Sequence, residues 1–266
     1  MTNRAAVFRK RNPLTIQAQV IWALIIREIM TRYGRHNIGF LWLFVEPMLF
    51  TLGITTLWTI AGFHHGSNLP ITAFALTGYS TVLLWRNMPT RCVGAIAPNS
   101  SLMYHRNVRV LDIFLSRIAL EAIGATMSFV TLGLLFNFLG LMDMPENPLL
   151  VVQGWLLTAW FGGSLAMLLG SLSEKSELVE KLWHPAAYLL FPLSGAAYLV
   201  DALPPAAQSA ALWLPMVNGV EMVRDGYFGS KIVAHYSVFY VASCNMVLTL
   251  FALALERAVS RDFVPE

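Results

Sequence analysis

Leu149–Leu172 reads LLVVQGWLLTAWFGGSLAMLLGSL, 24 residues without one Asp, Glu, Lys or Arg. In helical form such a run rises about 36 Å, enough to cross a hydrocarbon core of about 30 Å. Working outward, comparable apolar runs occupy Gly39–Phe63, Ile71–Ala97 and Ile113–Leu141 on one side, and Leu178–Val200 and Tyr236–Leu255 on the other. The expectation is therefore an all-α membrane protein with six spans. Composition agrees: 56% of the 266 residues are hydrophobic and 12% charged, about half the charge an ordinary soluble domain carries on its surface. Cys92 and Cys244 both lie in apolar stretches, which points to small core residues rather than a disulfide or a metal site. The basic, polar segment Met1–Arg11 is followed by no short apolar run with a small-residue cleavage site, so no secretory leader is expected.

Direction follows from Lys and Arg, which are retained on the cytoplasmic side. The segment ahead of the first span carries Arg4, Arg9, Lys10, Arg11, Arg27, Arg32 and Arg35, and the next loop carries none. Arg86, Arg91, Arg106, Arg109 and Arg117 surround the second connection, Asp143 and Glu146 the third, and Lys175 and Lys181 the fourth. Arg257 and Arg261 follow the last span. The alternation places both termini in the cytoplasm. The expected division is a cytoplasmic amphipathic segment at 1–37, six spans within 38–256 and a cytoplasmic tail at 257–266.

Two regions depart from a plain bundle. In Leu14–Arg35, Trp22, Ile26, Ile29, Met30 and Tyr33 recur at helical spacing, while Gln17, Arg27, Glu28, Thr31, Arg32 and Arg35 populate another face. This reads as an amphipathic helix at the membrane surface, since charges at a span centre cost about 2.5 to 3.5 kcal/mol each. Between spans five and six, Pro192, Pro204, Pro205 and Pro215 cut the chain into apolar pieces, of which Ala206–Leu214 is too short to cross. Such pieces are tolerated at membrane depth where protein or water satisfies their backbone, so a re-entrant hairpin is expected there.

The chain contains no Gly-x-x-x-x-Gly-Lys-Ser/Thr loop, no His-Glu-x-x-His and no Gly-x-Ser-x-Gly. It is read as non-catalytic and as binding no cofactor or metal itself. Glu46, followed by Pro47, and Glu121 are the carboxylates well inside expected spans, and intramembrane ionisable groups are functional candidates. Glu121 stands four residues after Arg117, a spacing that permits a helical ion pair. Glu177 and Lys181 have the same spacing on the fourth connection.

At the entry to the first span the sequence runs REIMTRYGR from Arg27 to Arg35, then Gly39-Phe40-Leu41-Trp42, then Glu46-Pro47. Far along the chain, PMVNGVEMVR spans Pro215 to Arg224. This set resembles the membrane subunits of ABC-2 type exporters for bacterial surface polysaccharides, most closely the capsular polysaccharide exporters. The resemblance covers essentially the whole chain and implies a permease of the cell inner membrane. It further implies a homodimer, with each copy docking one cytoplasmic ABC ATPase subunit that carries the ATP and Mg. Lipid-linked acidic polysaccharide would pass between the two copies toward periplasmic and outer-membrane capsule-export proteins. No nucleic acid is expected as a partner.

Within that frame the second cytoplasmic loop, with Ser101, Leu102, Met103, Tyr104, Arg106 and Arg109, is by resemblance the ATPase-coupling helix. Aromatic side chains offer a glycan an apolar body with a polar handle. Trp58, Tyr79, Trp85, Trp155, Trp160, Tyr188 and Tyr198 are the channel candidates. For an anionic polymer or its anchor the candidates are Arg27, Arg32, Arg35, Arg86 and Arg91, because guanidinium pairs bidentately with carboxylate and phosphate. Glu46, Pro47, Glu121, Glu221 and Arg224 are structural or gating candidates. The same pattern serves O-antigen and teichoic acid exporters, and the intramembrane carboxylates leave a proton-coupled secondary transporter as a further alternative.

Overall fold

The structure, a computed structural model, describes residues 12–34, 39–62, 69–105 and 108–262. These residues form helices and no strands. The helices are α1 (Pro13–Tyr33), α2 (Gly39–Ile60), α3 (Ile71–Cys92), α4 (Ser100–His105), α5 (Val110–Phe138), α6 (Pro148–Lys175), α7 (Glu177–Leu193), α8 (Pro205–Leu212), α9 (Pro215–Phe228) and α10 (Val238–Asp262).

Local chemistry sets where several of them begin. The Asn12 side chain accepts from the Leu14 N–H at 3.3 Å with Pro13 at the first helical position, and Asn147 does the same for Leu150 at 3.2 Å ahead of Pro148. An asparagine cap followed by proline satisfies one orphan donor and removes another. Within α3, Thr77 and Thr81 return their hydroxyls to the carbonyls of Ala73 and Thr77 at 2.8 and 2.6 Å. These two hydroxyls are thus satisfied by their own helix.

Among the described residues, five helical stretches are long and apolar enough to cross a bilayer: Pro13–Arg32, Leu41–Ile60, Val110–Phe138, Pro148–Lys175 and Val238–Asp262. Four correspond to expected spans. The first is the segment read from sequence as a surface helix, and two expected spans fall outside the set. The expected span Ile71–Ala97 becomes α3, which ends at Cys92 and is diluted by Thr77, Ser80, Thr81, Arg86, Asn87 and Arg91. Sixteen of its 22 residues are buried, Thr77, Ser80 and Thr81 among them, so those hydroxyls face neighbouring helices. The expected span Leu178–Val200 becomes α7, 17 residues long and carrying Pro185 and Pro192.

The core is built around α3 and α6. α3 packs against α2, α5, α6 and α9, and α6 also packs against α10. Small residues let the backbones approach closely: a Cβ on Gly162 of α6 would lie 2.7 Å from the Cα of Trp85, and one on Gly226 of α9 would lie 2.6 Å from the Val151 nitrogen. The proline-cut region resolves into two unlike pieces. α8 buries none of its residues, while 12 of the 14 residues of α9 are buried.

Candidate functional site

Charged side chains from four helices meet near the start of α5. Arg32 of α1 donates to Glu28 at 2.9 Å and to Glu121 of α5. Arg91 of α3 reaches Glu121 and Glu46 of α2, each at 3.4 Å. Arg117 of α5 lies 3.3 Å from Glu28 and donates to the carbonyl of Arg91 at 2.5 Å. Among the described residues, three arginines and three glutamates thus meet across α1, α2, α3 and α5. The helical pair expected between Arg117 and Glu121 is not formed: Glu121 is taken by Arg32 and Arg91, because the approach of α1 and α3 offers it cations from both sides.

The orientation of α1 also differs from a helix lying with its polar face to water. Leu24 and Ile25 are buried, and Glu28 and Arg32 are directed into the charge cluster, while Trp22, Ile26 and Met30 remain exposed. Ion pairing inside the protein lowers the cost of placing these charges beside apolar surface. Two further contacts tie α1 to the connection between α3 and α5. Arg27 donates to Asn99 at 2.5 Å, and Gln17 donates to Asp112 at 2.8 Å. Asn99 lies in the single turn Ala97–Asn99 that runs into α4. Asp112 accepts from the Arg109 N–H at 3.0 Å and so closes the first turn of α5. Ser101, Leu102 and Met103 lie on α4, and Leu102 and Met103 are partly buried against the core. Arg35, Arg106 and the side chain of Tyr104 lie outside the described residues.

A second constellation surrounds Arg86 of α3. Its guanidinium lies 5.7 Å from the Phe50 ring centre of α2, and 5.6 and 5.7 Å from those of Tyr188 and Phe191 of α7. No carboxylate among the described residues pairs with it; ring faces stabilise the cation in its place. Tyr79 backs this box, packed against Phe191 at 4.9 Å, Trp58 at 5.2 Å and Phe50 at 6.0 Å. Tyr188 is exposed. No sequence spacing marks Phe50 and Phe191 as partners of Arg86, and only the helix packing brings them to it.

The remaining aromatic candidates are dispersed. Trp85 is fully buried against Phe161, and Trp155 stacks on Phe129 at 4.6 Å and donates to Thr126 at 2.9 Å, so both pack inside the subunit. Trp160 donates to Thr249 of α10 at 2.9 Å. Tyr198 donates to the Leu193 carbonyl at 2.9 Å, next to the turn that follows α7.

That turn is held by the motif on α9. Arg224, with no exposed surface, donates to the carbonyls of Gly195, Ala196 and Tyr198 at 2.7, 2.6 and 2.5 Å, and its guanidinium lies 3.8 Å from the Phe74 ring centre. Glu221, equally buried, accepts from the N–H groups of Val200 and His235, each at 3.2 Å. Both charges are spent on irregular backbone, which would otherwise leave polar groups unsatisfied in an apolar interior. Gly195, at φ 84°, takes a left-handed conformation that glycine adopts without strain. Tyr236, between α9 and α10, donates to Asp225 at 2.8 Å.

The comparisons with known proteins extend over the same elements. The family model described as ABC-2 type transporter matches residues 19–228, from within α1 to the end of α9. The chain is 45% identical over 253 residues to the capsule polysaccharide export inner-membrane protein CtrC of Neisseria meningitidis serogroup B, covering 95% of this chain and 96% of that protein. It is 40% identical over 256 residues to the capsule polysaccharide export inner-membrane protein BexB of Haemophilus influenzae, covering 96% and 97%. It is 25% identical over 247 residues to the polysialic acid transport protein KpsM of Escherichia coli, covering 93% and 96%.

Proposed function

This chain belongs to the ABC-2 type transporter family, and we propose that it is the inner-membrane permease of an ATP-driven exporter of capsular polysaccharide. The observation that carries this reading is likeness at 45% identity to a capsule export inner-membrane protein along 95% of the chain. The sequence has no phosphate-binding loop, so the energy is supplied by a separate cytoplasmic ATPase holding ATP and Mg. Two copies of the chain form the channel, and periplasmic and outer-membrane export proteins receive the lipid-linked glycan.

The chain crosses the membrane six times, with α2, α3, α5, α6, α7 and α10 as the crossings and both termini inside. α5 is 29 residues long, about 43 Å, and so overhangs a 30 Å core by roughly a third of its length. The overhang carries Asp112 and Arg117, with Glu121 at its membrane end, and α1 packs along it through Gln17, Glu28 and Arg32. That packing supports a surface location for α1 despite its apolarity. The pieces α8 and α9 enter from the outer side and return, with Arg224 and Glu221 of α9 satisfying the irregular backbone of the turn after α7 and of His235 ahead of α10.

The segment Ser100–Arg109 is the ATPase contact, and the bond from Arg27 to Asn99 passes its displacement to α1. The charge cluster then carries that displacement to Glu46 on α2. Arg86 and its aromatic box at α2 and α7 form the contact for an acidic polymer, because a cation held by rings keeps its charge available to a passing carboxylate.

Loss of this chain should leave capsule precursor in the cytoplasm, and its copurification with an ATPase should restore ATP-dependent export in vesicles. Transport that persists without any ATPase would overturn the reading in favour of a proton-coupled carrier. Charge reversal at Arg106 or Arg109 is expected to uncouple ATPase stimulation from export while leaving insertion intact. Arg86→Gln is expected to slow export of an acidic glycan, and unchanged export would remove Arg86 from the channel.

A further inference from the structure

The first turn of α5 and the last three turns of α10 enclose a cavity of about 660 Å³. Its wall divides by chemistry. Leu111, Leu250 and Leu253 line one part, and Arg109, Arg257 and Ser260 line the other. Along α10, Leu250, Leu253 and Arg257 follow one another at spacings of three and four, which puts them on one stripe of the helix. The stripe is about 10 Å long, apolar toward the middle of the helix and cationic at its end.

Both arginines are exposed, and neither guanidinium has a hydrogen-bonding or ionic partner among the described residues. The other charged group lining the cavity is Glu256, which is 6% exposed and accepts from the Ser260 hydroxyl at 2.8 Å. Two arginines and one glutamate leave the cavity with an excess of one positive charge. An open pocket with an apolar wall leading to two unpaired guanidinium groups matches an amphiphile with an anionic head.

We propose that this cavity binds one anionic phospholipid of the inner leaflet, with its phosphate between Arg109 and Arg257 and an acyl chain along Leu253 and Leu250. Guanidinium pairs bidentately with phosphate, and basic pockets beside spanning helices at the cytoplasmic face hold anionic head groups. The lipid would bridge α5, where it leaves the second cytoplasmic connection, to the last span. Its placement in the inner leaflet rests on the orientation proposed above. Binding itself does not, so measurements on detergent-solubilised protein separate failure of the site from failure of the orientation.

The test uses the full chain, delipidated in detergent and titrated with phosphatidylglycerol, phosphatidylethanolamine or glycerol 3-phosphate, with bound lipid counted by native mass spectrometry. Phosphatidylglycerol is expected to bind in preference to phosphatidylethanolamine, and roughly fivefold more weakly for each arginine replaced in Arg109→Gln and Arg257→Gln. Arg257→Lys should bind between the parent and Arg257→Gln, since the charge stays while the bidentate fork is lost, which separates charge from folding. Equal binding of the two lipids, or variants indistinguishable from the parent, would overturn the proposal and leave the arginines as residues reaching for water. Glycerol 3-phosphate binding as tightly as the lipid would also overturn it, since the apolar wall would then contribute nothing.

Discussion

The charge cluster at α1, α2, α3 and α5 and the Arg224–Glu221 clamp on α9 solve one problem in opposite ways. Each places ionised side chains in a largely apolar protein, where an unpaired charge costs several kcal/mol. In the cluster, charges on different helices satisfy one another, and Arg91 and Glu46 keep 36% and 58% of their side-chain surface exposed. In the clamp, Arg224 and Glu221 turn to backbone carbonyls and N–H groups of two non-helical segments and are wholly enclosed. A contact built from side chains on separate helices can exchange partners as the helices shift. A contact made to main chain fixes a turn in place. The first arrangement suits a part whose helices shift against one another, and the second suits one that must hold its shape.

The comparison breaks most sharply at Arg224. Arg224→Leu should destabilise the protein by about 3 kcal/mol or more, since three buried carbonyls lose their donor, and thermal unfolding in detergent reads the loss. Stability equal to the parent would refute the clamp. Gly78→Ala should come next, at about 1–3 kcal/mol from overpacking, because its Cβ would meet the Ala196 carbonyl oxygen at 2.6 Å and the Arg224 guanidinium at 2.7 Å.

Glu121→Gln is expected to cost less, about 1–2 kcal/mol, since Arg32 and Arg91 keep partners in Glu28 and Glu46 and part of the cluster meets water. A double-mutant cycle between Arg32 and Glu121 measures their coupling, and a value near zero would show that the two helices are joined by apolar packing alone. Smallest of all, Lys181→Ala should change stability by under about 0.5 kcal/mol, because its pair with Glu177 at 3.1 Å is almost fully solvated.

The helical class and most of the element order were legible from apolar run length. Four of the expected spans recur as long apolar helices. α3 shows where run length stops informing: Thr77, Ser80 and Thr81 lower its apolarity where its neighbours are protein, and a hydropathy reading treats every neighbour as lipid. For Glu121, helical spacing named Arg117 as a partner, yet the closer cations come from α1 and α3, 89 and 30 residues away along the chain. The motif ending in Arg224 stood out in the sequence. The carbonyls of Gly195, Ala196 and Tyr198 did not, since no side-chain pattern marks a carbonyl as an acceptor. Phe50 and Phe191 carry no sequence signal for the same kind of reason, being ordinary apolar residues until packing brings Arg86 to their rings.

By itself the sequence determined the material of this protein: helices of bilayer length, positive charge gathered on alternate connections, no nucleotide-binding loop and family membership along nearly the whole chain. Those properties follow from each residue's own solvation and from local spacing. The tertiary structure alone decided which arginine meets which glutamate, which arginine is left among rings, and which buried charge is spent on the main chain. Such pairings depend on distances of a few ångströms between helices far apart in the chain, and only packing sets those distances.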